Sequence, residues 1–197
     1  MAELDRRSLT AHQMELAQPV PQVPNADPGA QVEVAKQLDA AARFARSVPR
    51  ARDATRLGYV LTLAPERGSG AHWTRWALVN CQFDPAQPSE ILYDGVGPDA
   101  SIVALSYLVV HRGGPPRGFA DPNARWHQHF GLCVVHGALV DRIQCDRGGR
   151  ILDGRDLWML HAWVVPEWPN AWGTFVPLNP ARLESGVSVE AHAAPTP

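Results

Sequence analysis

Residues 126–143 read WHQHFGLCVVHGALVDRI. Two strand-like segments, Phe130 to Val135 and Ala138 to Ile143, flank His136-Gly137. Glycine in a two-residue turn supplies the positive φ that lets two strands fold back on each other. The spacing therefore predicts a hairpin that turns at His136-Gly137 and sets Cys133 opposite Val140. An antiparallel pair in mid-chain is the first element of the fold.

Downstream, Leu157 to Val165 is apolar at both parities except for His161. A strand covered on both faces has that pattern. Pro166 to Pro180 is rich in proline and aromatic residues, which predicts an irregular flap packed on the sheet. Upstream, short apolar runs lie between turn residues: Tyr59 to Leu63, Trp73 to Cys81, Ile91 to Tyr93 and Ile102 to Val110. Pro115-Pro116 and Asp121-Pro122-Asn123 mark a long loop before the hairpin. Further upstream the period changes. Val32, Val34, Ala35, Leu38, Ala42 and Phe44 form an apolar stripe at helical spacing, so Ala30 to Ala54 reads as helix. Pro49 divides it, and Gly58 is a suitable stop for the second piece.

No helical pattern separates the strands, which disfavours a βαβ architecture. The expectation is an α+β fold: an N-terminal helix followed by a mainly antiparallel β-sheet, rolled or sandwich-like. Residues 1–29 hold four prolines and little apolar surface, and read as a flexible arm. Residues 30–183 form a single domain, and 184–197 a flexible tail.

The chain has 197 residues, 45% of them hydrophobic, enough for one sizeable core. Its formal net charge of -2 lacks the concentrated positive field that nucleic acid or an anionic membrane requires. The longest apolar runs are too short for a transmembrane helix. The N-terminal stretch lacks the basic-then-apolar layout of a secretory signal, so the chain as it stands reads as cytoplasmic, with a mature exported protein as the alternative. Strand edges and exposed aromatics leave room for a dimer. The three cysteines, Cys81, Cys133 and Cys145, contain no CxxC pair. That argues against a structural zinc knuckle. A Cys133–Cys145 disulfide would need a bulge or a bent connection to form.

The chemistry lies in the histidines. His127 and His129 stand two apart, and on a strand such residues share a face. Both imidazoles then reach one ion at about 2.0–2.1 Å. The competing reading is two polar residues facing solvent. His161 has only apolar neighbours, so it is expected to be buried, and a buried imidazole without a partner costs about 1–3 kcal/mol. It must be hydrogen-bonded or metal-bound. His72, beside Gly68-Ser69-Gly70, is a further ligand candidate. His136 and Cys133 are additional ones, His136 at the turn and Cys133 at the parity of the His127/His129 pair. His111 ranks below these, and His12 and His192 in the tails receive no role. Trp126 and Trp163 are candidates for the wall of a pocket around the metal, where a dry surround tunes reactivity.

Imidazoles suit copper, iron or zinc, and sequence does not choose among them. A site of two histidines and one carboxylate would have to draw on Asp94, Asp121, Asp156 or Glu167. A surround poor in carboxylates offers no general base for hydrolysis, which tilts the expectation toward a copper- or iron-dependent oxidoreductase acting on a small molecule and away from a zinc hydrolase. The alternative is non-catalytic: a metal carrier, a ligand sensor, or an interaction domain with a structural histidine network. Phosphate loops, Gly-x-Ser-x-Gly and His-Glu-x-x-His are all absent from the sequence.

His72-Trp73, Ile91-Leu92-Tyr93-Asp94, Ser106-Tyr107-Leu108, the run from Trp126 to Cys133, Leu160-His161-Ala162-Trp163, and the closing Trp172-Gly173-Thr174-Phe175 and Pro177-Leu178-Asn179-Pro180 together resemble a family of poorly characterised bacterial proteins. The resemblance spans about residues 40 to 180. It implies that His72, His127, His129 and His161 build one site from distant strands, and that an export signal is missing from this chain. It names no metal and carries no activity.

Overall fold

The computed structural model describes residues 19–128, 132–135, 138–141, 150–151 and 156–184. Helix α1 spans Pro28–Ser47. Asp27 caps it, its carboxylate accepting from the amides of Gly29 and Ala30, and Pro28 opens it where a missing N–H costs nothing. Val48-Pro49-Arg50 breaks the helix, and the short α2 follows at Ala51–Arg56. The division at proline is the expected one.

Six strands then build the main sheet: β1 Val60–Leu63, β2 Ala71–Thr74, β3 Glu90–Tyr93, β4 Ile102–Val110, β5 His127–Gln128 and β9 Leu157–Ala162. Their order is β1-β2-β3-β4-β9-β5, and every pairing is antiparallel. β6 Leu132–Val135, β7 Ala138–Asp141 and β8 Arg150–Ile151 form a second antiparallel sheet in the order β7-β6-β8. Cys133 pairs with Val140 there, the register expected from the spacing. This is an α+β fold, an N-terminal helix followed by antiparallel sheet. One expected strand is corrected. Trp73 to Cys81 is not a continuous strand: β2 ends at Thr74, and Trp76–Leu78 is a turn of 3-10 helix. A short apolar run fits either conformation, and periodicity alone does not separate them.

The two faces of the main sheet differ in chemistry. On one, Ile91, Tyr93, Leu105, Tyr107, Leu160 and Ala162 join Val34, Ala41 and Ala45 of α1 in the principal core. Tyr93 pins the end of the helix by donating its hydroxyl to the Val48 carbonyl at 2.9 Å. The other face carries two small apolar clusters, Leu92, Val103, Ala104, Trp163 and Val176 in one, and Leu108, Leu157 and Met159 in the other. Between them runs a polar row. Thr74 pairs with Glu90, Glu90 with Ser106, and Ser106 with His161, each directly opposite the next on successive strands. Residues opposite one another in a sheet share a face, so four polar side chains stand side by side across four strands.

The stretch after β9 packs irregularly, as its composition predicts. Trp163 donates its amide to Thr174 and its indole N–H to the Val176 carbonyl. Asn179 is buried and caps the last short helix, α3 Pro180–Glu184, through the Ala181 amide. Residues 19–27 have no regular structure. Val23 and Asn123 exchange two hydrogen bonds of 2.8 Å, Gln22 donates to the Trp172 carbonyl, and Asn25 to that of Ala120.

Candidate metal centre

His72 lies on β2, two residues before Thr74, and therefore on the polar face. His161 is on β9 and His127 on β5, where it pairs with Met159, two residues from His161 on the same face. Strands in a sheet are about 4.8 Å apart, so β2 and β9, three steps apart in the sheet, would hold perpendicular side chains about 14 Å apart if the sheet were flat. The rings of His72 and His161 have centroids only 6.2 Å apart. The side chains therefore converge above the sheet, and imidazoles from distant parts of the chain come together. His127 and His161 have centroids 5.5 Å apart.

His72 and His161 are each 3% exposed, whereas His127 is half-buried. The cluster is thus closed at β2 and more open at β5, the edge strand. Two imidazoles on one tetrahedral ion, each about 2.0–2.1 Å from it, have ring centres about 5 Å apart. The separations seen here exceed that by about 1 Å or less. As placed, no three His, Cys, Asp or Glu side chains among the described residues are close enough together to hold an ion.

Two residues that the sequence did not mark complete the neighbourhood. Glu90 is fully buried, and its Oε2 stands 3.5 Å from His72 Nδ1, an ion-pair separation rather than a tight hydrogen bond. Its Oε1 accepts from the Thr74 hydroxyl at 2.8 Å, and Thr74 in turn lies 2.7 Å from the hydroxyl of Thr62. Burial alone would raise the Glu90 pKa, but His72, Thr74 and Ser106 together bring it below the ordinary carboxylate value. Burial likewise opposes a charged His72, but Glu90, with a smaller contribution from Glu66, raises its pKa above that of a free imidazole. Each partner thus favours the charged form of the other. The second addition is Met159, whose Sδ lies 3.1 Å from His161 Nε2. A polar residue in the otherwise apolar run Glu90-Ile91-Leu92-Tyr93 was the only sequence signal for Glu90, and nothing distinguished Met159 from a core methionine.

No family model, curated protein or solved structure matches the chain.

His129 and His136 lie outside the described residues, as does the side chain of Cys133. Trp163 joins the apolar cluster beside His161, on the same face. Trp126 packs elsewhere. Its ring meets Phe83 edge-on at 5.9 Å on the helix side, and it lines a surface cleft of about 490 Å³ with Pro115, Pro116 and Pro122. His111 closes a local turn through its Nδ1 and the Gly114 carbonyl. Of the carboxylates considered from sequence, Asp94 accepts from the Ser101 amide, Asp121 from Asn123, and Asp156 faces Arg112. Glu167 is exposed. Glu90 is the carboxylate beside the histidines, so the surround is not as poor in carboxylates as the sequence suggested.

Proposed function

We propose that this is a transition-metal-binding protein whose His72, His127 and His161 imidazoles hold one ion, with His129 as the fourth candidate. The observation that supports the proposal is that His161 has an imidazole on either hand on one face of the sheet, His72 at 6.2 Å and His127 at 5.5 Å between ring centres, with His72 and His161 buried. A buried imidazole must be hydrogen-bonded or metal-bound, and His72 Nε2 has no hydrogen-bond partner among the described residues. An ion bound there would act as a Lewis acid or redox centre, reached from the His127 side.

Among copper, iron and zinc, the thioether of Met159 favours copper, because soft sulfur donors select copper over harder ions. The pairing of Glu90 with His72 and Thr74 leaves this carboxylate engaged, which argues against its serving as the general base of a zinc hydrolase. The function that fits best is a copper-dependent oxidoreductase or copper carrier acting on a small molecule.

Elemental analysis of the purified protein, reconstituted separately with copper, iron and zinc, tests this. Near-stoichiometric copper is expected, falling sharply in His72→Ala and in His161→Ala. Retention of no metal by the parent, or full retention by both variants, overturns the proposal. Equal or tighter retention of zinc removes the assignment to copper.

A further inference from the structure

The polar row holds a fully buried carboxylate that a metal site of imidazoles alone does not require. We infer that Glu90 is a positioning residue: it holds His72 through Nδ1 so that Nε2 is presented to the ion. The inference rests on the metal reading above and extends it to the support behind one ligand.

The geometry supports it from both sides of the ring. Glu90 Oε2 is 3.5 Å from His72 Nδ1, and both residues are buried. Nδ1 and Glu90 Oε2 meet as an ion pair rather than in a hydrogen bond of normal geometry, while Nε2, on the other side of the ring, is buried and has no hydrogen-bond partner among the described residues. An imidazole can serve a carboxylate at one nitrogen and a metal at the other, and such a carboxylate fixes the tautomer and raises the basicity of the ligand. The carboxylate is itself fixed. Thr74 donates to its Oε1 at 2.8 Å, and Thr62 stands behind Thr74 at 2.7 Å. The chain Thr62, Thr74, Glu90, His72 therefore runs from the outer strand β1 to the centre. Strand register builds it, since Thr74 and Glu90 are directly opposed on β2 and β3. A residue needed only for packing would not have to be a carboxylate, because an apolar residue of similar size would fill the space without the cost of burying a charge.

The test uses the full chain, stripped of metal. Copper(I) competed against bicinchoninate measures affinity, and the visible bands of added cobalt(II) report the ligand set. Glu90→Gln keeps the shape and removes the charge. It is expected to weaken copper(I) binding by about ten- to hundredfold while leaving the cobalt bands in place. In a His72→Ala background the same substitution is expected to have no further effect, since the ligand it acts through is gone. A purely structural role for Glu90 would still lower affinity there. If Glu90→Gln does not fold, Thr74→Val replaces it, with an expected severalfold loss of copper(I) affinity. Unchanged affinity in the variant that folds overturns the inference, as do cobalt bands that report a lost oxygen ligand. If the parent binds neither metal, the proposed function falls and the role of Glu90 falls with it. If the parent binds and the variant matches it, only the role of Glu90 falls.

Discussion

Gly70 shows how closely single residues are constrained beside the candidate site. It precedes β2 with φ at 139°, and an added Cβ would lie 2.5 Å from the Tyr93 carbonyl oxygen. The obstacle is backbone of the neighbouring strand, which cannot swing aside as a side chain can. Gly70→Ala is expected to cost at least about 1–3 kcal/mol, from strain at positive φ together with this overlap. Urea denaturation measures it, and a loss below a few tenths of a kcal/mol would contradict the geometry. Because His72 follows two residues later, the same substitution should also weaken metal binding. At this scale the histidines were legible, since imidazoles in apolar or strand-like surroundings are visible in a sequence. Glu90 was not. Its importance comes from lying opposite Thr74 on one side and Ser106 on the other, a relation that strand register creates and linear order hides. Met159 was hidden for a different reason: its parity with His161 matters only once both are known to share a strand face with His127.

Elements were legible where one signal dominated. β4 coincides with the apolar run from Ile102 to Val110, and α1 ends just before Pro49. Where a short apolar run suits two conformations, as after Thr74, the sequence pattern failed. The start of α1 offers a direct check. Asp27 accepts from the Gly29 amide at 2.8 Å and from the Ala30 amide at 3.4 Å. Asp27→Ala leaves both donors to water and is expected to destabilise the protein by about 0.5–2 kcal/mol, with Asp27→Asn close to neutral. The helix packs on the far side of the sheet from the histidines, so copper affinity should not change in either variant. A loss of affinity in Asp27→Ala at full folding would mean that the helix and the site are coupled through the sheet.

At the scale of the whole molecule, stability is expected to depend on pH through the buried pair, and under the proposed metal reading the dependence runs in opposite directions with and without the ion. Without metal, Glu90 has its pKa lowered in the folded state from about 4.5. Its contribution is present above that value and is lost as pH falls through the folded pKa. His72 has its pKa raised from 6.5, so its contribution is complete below 6.5 and is lost as pH rises through the folded value. The two overlap between about pH 4.5 and 6.5, where the metal-free protein should melt at its highest temperature. Above that window the melting temperature should fall as His72 loses its proton. Replacing both partners, Glu90→Gln with His72→Gln, should flatten the profile, and an unchanged profile would assign the pH dependence to other groups. Under the proposed metal reading, a bound ion would reverse the upper limb. An ion needs the neutral imidazole, so it competes with the proton on His72, and its stabilisation grows with pH. Copper-loaded and metal-free protein should therefore diverge in melting temperature as pH rises past 6.5, with the gap narrowing at lower pH. A gap that stays constant from pH 5 to pH 8 would place the ion away from His72.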